Sequence, residues 1–82
     1  MECIRRILHM HGIYTAVMNT DQKTAAVSIV LEQSGADKAI VAAELIDWCG
    51  FQFAVYDPAD ADSPEFQQVM QFGERFSVSP GV

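Results

Sequence analysis

The side chains at the start of the chain follow the period of a helix. Ile4, Ile7, Leu8 and His11 fall at i, i+3, i+4 and i+7, and the arginines lie off that face. This spacing predicts a short first helix that ends before Gly12. A strand is the alternative, and it would place on one mixed face Cys3, Arg5, Ile7, His9 and His11.

Two segments rich in β-branched and aromatic residues follow the first helix. Residues 13–18 and 24–32 are separated by the polar residues 19–23, which is typical of an antiparallel hairpin. In the second segment the large apolar side chains of one face are Val27, Ile29 and Leu31. We expect that face to meet the helices and the other face to remain outside.

Residues 34–56 form the most strongly specified stretch, a helix that leads directly into a strand. Ser34 and Asp37 have the spacing of a capping box, so we expect the helix to start near Gly35. Gly50 is placed to end it in a left-handed conformation. Because nearly all residues between are apolar, we expect the helix to be covered on most of its circumference, between the sheet and another helix.

Residues 51–56 alternate between the two faces of a third strand. A helix joins this strand to the second one, which predicts that the two strands are parallel. We expect the third strand to lie beside the first strand, so that the order is second, first, third and both neighbouring pairs are antiparallel.

A last helix is predicted after Ser63, a capping residue followed by Pro64 at the first helical position. Residues 77–82 are predicted to be a flexible C-terminal tail. The sequence therefore predicts an α+β fold, with residues 1–76 as a single compact domain. Its sheet is three-stranded and mainly antiparallel with helices packed on it, in the order α-β-β-α-β-α. A length of 82 residues, of which 50% are apolar, fits one such core.

The formal charge of −6 is unevenly distributed along the chain. Residues 1–38 are balanced, whereas from residue 39 onward seven acidic residues face a single cation, Arg75. Direct binding of nucleic acid is disfavoured, because it needs clustered Lys and Arg. A protein partner with a basic surface is favoured instead. The simpler interpretation is that acidic surface keeps a small, apolar-rich domain soluble.

The first functional hypothesis is a non-catalytic protein–protein interaction module. It would be a small acidic inhibitor or regulator that binds a basic surface of a nucleic-acid-handling complex. Small proteins with which phages and other mobile elements block host machinery, including CRISPR complexes, are analogous by size and charge only. The predicted partner-binding residues are Glu44, Asp47, Asp57, Asp60, Asp62 and Glu65.

The alternative hypothesis is a homodimeric structural or small-ligand-binding module. The outer face of the predicted sheet is rich in apolar side chains, and such faces pair with a second copy more readily than they stay in water. The predicted self-interface consists of Tyr14, Met18, Val30 and Tyr56, with Ala16 and Ala54 between them.

The residue types that ligate metals or act as nucleophiles do not combine into a site. On a helix, the imidazoles of His9 and His11 point about 200° apart and cannot share an ion. Residues 57–65 are rich in carboxylates but lack the alternation and the glycine of a calcium-binding loop. Cys3 and Cys49 are predicted to be free thiols, and burial would make Cys49 unreactive. The sequence thus predicts no metal, no cofactor and no catalytic residue.

The chain is predicted to be cytoplasmic. The residues after the N-terminal arginines do not form the long apolar run of a secretory signal. No uncharged stretch is long enough for a membrane span, so no membrane association is expected.

Overall fold

The chain forms three α-helices and four β-strands within residues 2–33 and 35–78, the part that the computed structural model describes. In chain order they are α1 (Glu2–Met10), β1 (Thr15–Asp21), β2 (Ala26–Leu31), α2 (Lys38–Cys49), β3 (Gln52–Tyr56), α3 (Pro64–Phe72) and β4 (Glu74–Ser77). A short 3-10 helix, Pro58–Asp60, lies between β3 and α3.

The strands form one mixed sheet in the order β3-β2-β1-β4. β1 pairs antiparallel with β2 and with β4, whereas β2 pairs parallel with β3. The α+β class, the first helix and the parallel relation of β2 and β3 are confirmed. The predicted three-stranded sheet in the order second, first, third is wrong, because β4 takes the place beside β1 and β3 lies beside β2.

β4 has no clear strand signal in the sequence and was not predicted. Only Phe76 among its residues is large and apolar, and its ring packs against the core. Val78 follows it into the core, and its N–H donates to the carbonyl oxygen of Tyr14 at 2.9 Å. The predicted tail is therefore wrong for Ser77 and Val78, while residues 79–82 lie outside the described residues.

Helices cover both faces of the sheet. α1 and α2 pack on one face, where the main core contains Ile4, Ile7, Leu8, Ile13, Ala16, Val27, Ile29, Leu31, Val41, Leu45, Phe53 and Val78. α3 packs on the other face, where Val17, Val30 and Val69 form a second cluster with Tyr56 and Phe66. Neighbouring strand residues point to opposite faces, so Ile29 enters the main core and Val30 the second cluster. The predicted core face of β2 is confirmed, but the opposite face is not left outside.

The helix ends follow local signals in the sequence. Asp37 is the N-cap of α2, since its carboxylate accepts from the backbone N–H groups of Ala39 at 3.0 Å and Ile40 at 3.4 Å. The helix therefore begins later than the predicted Gly35, and Ser34 lies outside the described residues. Gly50 ends the helix at φ 77°, in the left-handed conformation that was predicted.

Local signals in the sequence placed the start of α3 correctly, but not the hairpin turn or the coverage of α2. Ser63 caps α3 as predicted, because its hydroxyl accepts from the N–H of Phe66 at 3.1 Å. The hairpin turn lies at residues 22–25 rather than 19–23, because β1 continues to Asp21. α2 buries fully only Val41 and Leu45, so the expectation that it is covered on most of its circumference is wrong.

Cys3 and Cys49 form a disulfide that joins α1 to the end of α2, with their Cα atoms 5.8 Å apart. The predicted free thiols are wrong, because the packing of α1 against α2 brings together two residues that are 46 positions apart. Such a bridge is typical of proteins in oxidising compartments. The cytoplasmic location stays a prediction.

Candidate interaction surfaces

Lys38, at the start of α2, forms ion pairs with two of the predicted partner-binding residues. Its Nζ lies 2.5 Å from Asp60 Oδ2 and 3.6 Å from Asp57 Oδ1. The hydrogen bond to Asp60 raises the pKa of Lys38, and the same bond lowers the pKa of Asp60. The backbone N–H of Asp57 adds to that lowering by donating to Asp60 at 3.1 Å. These two carboxylates therefore organise the connection after β3, which leaves them less available to a partner.

Asp62 and Glu65 continue this connection into the first turn of α3, and both are exposed. Within the described residues neither has a basic partner in an ion pair. Glu65 also lines a groove of about 220 Å³ beside α3, with Asp21 among the other lining residues. Tyr56 and Gln68 line it too. The lining of this groove therefore includes two acidic residues from distant parts of the sequence.

The two acidic residues of α2 lie away from that groove. Glu44 forms a side-chain hydrogen bond with His11, whose Nε2 lies 2.5 Å from Glu44 Oε2. Asp47 is exposed near the C-terminal end of α2, roughly 13 Å along the axis from Lys38. α2 and α3 cover opposite faces of the sheet. The six predicted partner-binding residues are thus not brought together on one surface.

Arg75, the single cation after residue 38, and Lys38, the last cation before it, are both paired with carboxylates inside the molecule. Arg75 makes a two-pronged pair with Glu32, with Nε to Oε1 at 2.7 Å and Nη2 to Oε2 at 2.8 Å. The hydrogen bond to Glu32 raises the pKa of Arg75. Since Lys38 is held by Asp60 in the same way, the net charge that residues 39 onward present to a partner is negative.

The predicted self-interface is divided between different surroundings. Val30 is only 1% exposed beneath α3, and Tyr56 packs against the same cluster. Met18 points to the opposite face, where it packs against the main core. Tyr14 alone is exposed, so the four residues do not share one apolar face.

The exposure of Trp48 and Met10, which have the highest exposed fractions among the large apolar side chains of the described residues, was not predicted from the sequence. Trp48 is 74% exposed and Met10 is 68% exposed. With Arg6, Ile7 and Glu44 they line a shallow groove of about 330 Å³ between α1 and α2. For Trp48 a signal was present, because α2 is apolar on most sides and the few elements of so small a domain cannot cover such a helix all round.

The cysteines and histidines take structural positions. Both thiols are consumed in the disulfide, His11 contacts Glu44, and the ring of His9 meets that of Tyr14 edge-on at 6.4 Å. Among the residues that the structure describes, no group of three or more His, Cys, Asp or Glu side chains is arranged to hold a metal ion.

None of the helices in the described part of the chain has both the length and the apolar character needed to cross a membrane. Comparison with protein-family models, with curated proteins and with solved structures finds no match for this chain.

Proposed function

We propose that this chain is a non-catalytic protein–protein interaction module, an acidic inhibitor or regulator that binds a basic surface of a nucleic-acid-handling complex. One observation supports it most: Asp62 and Glu65 are exposed without a basic partner in the described residues, while Lys38 and Arg75 are matched internally. Size and charge alone make it analogous to the small proteins that phages and other mobile elements direct against host machinery, including CRISPR complexes.

The groove beside α3 offers a binding site for a basic side chain of the partner. Asp21 and Glu65 are the acidic residues in its lining, and Tyr56 is the aromatic one. An arginine suits such a site, because its guanidinium pairs with carboxylates and stacks on aromatic rings. The surrounding acidic charge steers a basic partner toward the groove, and salt weakens that attraction.

Charge reversal at Glu65, which lines the groove, and at the nearby exposed Asp62 tests the proposal. The immobilised chain is used to capture proteins from a nuclease-treated extract of the source cells, and binding is measured over a range of salt concentrations. We expect Asp62→Lys/Glu65→Lys to lower the affinity for the captured partner by about tenfold or more. Short duplex DNA should displace that partner, because both compete for one basic surface.

A matched control separates a binding surface from net charge. Asp47→Lys/Glu74→Lys changes the charge by the same amount at exposed positions on α2 and β4. The control should bind like the wild type. If both double variants lose binding equally, or if duplex DNA fails to displace the partner, the proposed surface is wrong and the acidity serves solubility.

A further inference from the structure

The two cysteines of the disulfide differ in their exposure to solvent. Cys3 lies in the first turn of α1 and is exposed, whereas Cys49 is the last residue of α2 and is half-buried. Thiol–disulfide exchange begins when a thiolate reaches one of the two bridged sulfurs, so its rate depends on access. An attacking thiolate therefore reaches Cys3 more readily than Cys49.

A groove of about 240 Å³ borders the exposed end of the disulfide. Cys3 lines this groove together with the apolar residues Ile7 and Trp48. Two residues of opposite charge, Glu2 and Arg6, complete the lining. The bridge therefore has open space beside its exposed cysteine, in which part of a thiol-bearing molecule can be held against apolar side chains.

The helix termini favour a thiolate at Cys3 over a thiolate at Cys49. The free N–H groups in the first turn of a helix stabilise negative charge, and the free carbonyl groups in the last turn oppose it. Arg6, three residues after Cys3 on the same side of α1, adds a positive charge that offsets the negative charge of Glu2. Stabilising a thiolate stabilises the reduced chain, which makes the bridge easier to open.

The packing of α1 allows the bridge to open and close again. Ile4, Ile7 and Leu8 are buried in the main core, so α1 keeps its apolar contacts after the disulfide is reduced. These contacts hold the two thiols close to each other, and an oxidised reagent can then restore the bridge. Exchange at this position is therefore reversible while the chain stays folded.

We propose that the bridge between Cys3 and Cys49 is a redox-active exchange site that dithiols open by attack at Cys3. A thiolate of the dithiol forms a new bond to Cys3 Sγ, while the bond to Cys49 breaks and Cys49 leaves with its electron pair and takes up a proton. The second thiol of the dithiol loses its proton and attacks the dithiol's own sulfur in this mixed disulfide, and Cys3 leaves as a thiolate. The chain has then gained two electrons, and the dithiol has become a disulfide.

The rate at which the folded chain is reduced tests the proposal. Oxidised wild type is mixed with dithiothreitol at neutral pH, excess iodoacetamide stops the reaction at successive times, and intact mass gives the fraction of opened bridges. The same chain unfolded in urea gives the reference rate. We expect the folded chain to react within about tenfold of that reference. A larger difference, toward the roughly thousandfold or more expected if global unfolding must expose the bridge, overturns the proposal.

Single-cysteine variants test which sulfur is attacked. Cys49→Ala and Cys3→Ala each leave one thiol, which oxidised glutathione converts to a mixed disulfide that intact mass detects. We expect Cys49→Ala to react about tenfold faster than Cys3→Ala at neutral pH, because the thiol of Cys3 is the more exposed and its thiolate the more stable. Equal rates, or a faster reaction of Cys3→Ala, overturn the assignment of Cys3. Far-UV circular dichroism checks that both variants are folded.

Two neighbouring arginines of α1 provide a matched control in the Cys49→Ala chain. Arg6 lines the groove with Cys3, and Arg5→Gln removes the same charge one position away. We expect Arg6→Gln to slow the reaction with oxidised glutathione about threefold and Arg5→Gln to leave it unchanged. Equal effects of the two substitutions overturn the assignment of the groove. These readouts are independent of the function proposed above, because Asp62 and Glu65 lie on the connection to α3.

Discussion

Removal of the disulfide should cost the domain a large part of its stability. The bridge between Cys3 and Cys49 spans a sequence separation of 46. The chain-entropy relation for a loop of this length gives about 4 kcal/mol at 25 °C. Cys3 is exposed and Cys49 is only half-buried, so the lost side-chain packing adds little. Domains of this size are stable by about 5–15 kcal/mol in total. We therefore expect Cys3→Ala/Cys49→Ala to lower Tm by roughly 15–30 °C.

Urea unfolding followed by far-UV circular dichroism measures this change. Trp48 is a poor fluorescence reporter because it is largely exposed in the folded chain. The wild type in a reducing agent should unfold at the same urea concentration as the variant, and the reducing agent should leave the variant unchanged. Intact mass must confirm the bridge in the oxidised sample. If that sample and the variant then differ by less than about 1 kcal/mol, the loop-entropy reasoning fails.

Two further predictions concern the Lys38 ion pair and the end of α3. Asp60→Asn should lower Tm at neutral pH. Lys38 holds the pKa of Asp60 below its ordinary value of 3.8, so the carboxylate stabilises the fold above that pH and loses its effect as the pH falls through the folded pKa. The difference in Tm should vanish in strongly acidic buffer, and a difference that is the same at every pH would contradict this reasoning. Gly73→Ala should cost about 1–3 kcal/mol in urea unfolding. A Cβ at Gly73 would lie 2.8 Å from the backbone oxygen of Met18 and 2.9 Å from Cγ1 of Val17, so unchanged stability would show that α3 moves freely away from β1.

Signals carried by neighbouring residues predicted the local structure well. Gly50 ends α2 and Ser63 caps α3 because each acts on backbone groups within a few residues. The alternation of Val27, Ile29 and Leu31 identified the core face of β2 for the same reason. Each of these features depends on residues that are only a few positions apart, so the local sequence is enough to predict it.

Features set by distant partners could not be read in the same way. β4 has a single large apolar residue, and it becomes a strand only because β1 offers an unpaired side. Once β4 occupies that side, β3 must lie beside β2, so one missed strand changed the whole order. The burial of Val30 likewise depends on where α3 packs, which the periodicity of α3 does not state.

The prediction of partner-binding residues was incomplete for the same reason, because their surroundings depend on residues that are distant in the sequence. The acidic excess after residue 38 follows from the sequence, but its division between surfaces does not. Asp60 is drawn to Lys38 across 22 positions, and Asp21 reaches the groove of Glu65 from the hairpin. Only the folded chain shows that Asp62 and Glu65 stay exposed while Asp57 and Asp60 support the connection between β3 and α3.

The late position of β4 affects how the chain folds during synthesis. β1 and β2 form a local hairpin, and α2 brings β3 to the other side of β2 soon afterwards. β1 gains its second neighbour only when residues 74–77 have left the ribosome, since Thr15 pairs with Ser77. Until then the nascent chain carries two open strand edges, and contacts this distant in sequence form slowly. A ribosome that pauses before residue 74 therefore holds a chain that is prone to pair with its neighbours on the same messenger RNA.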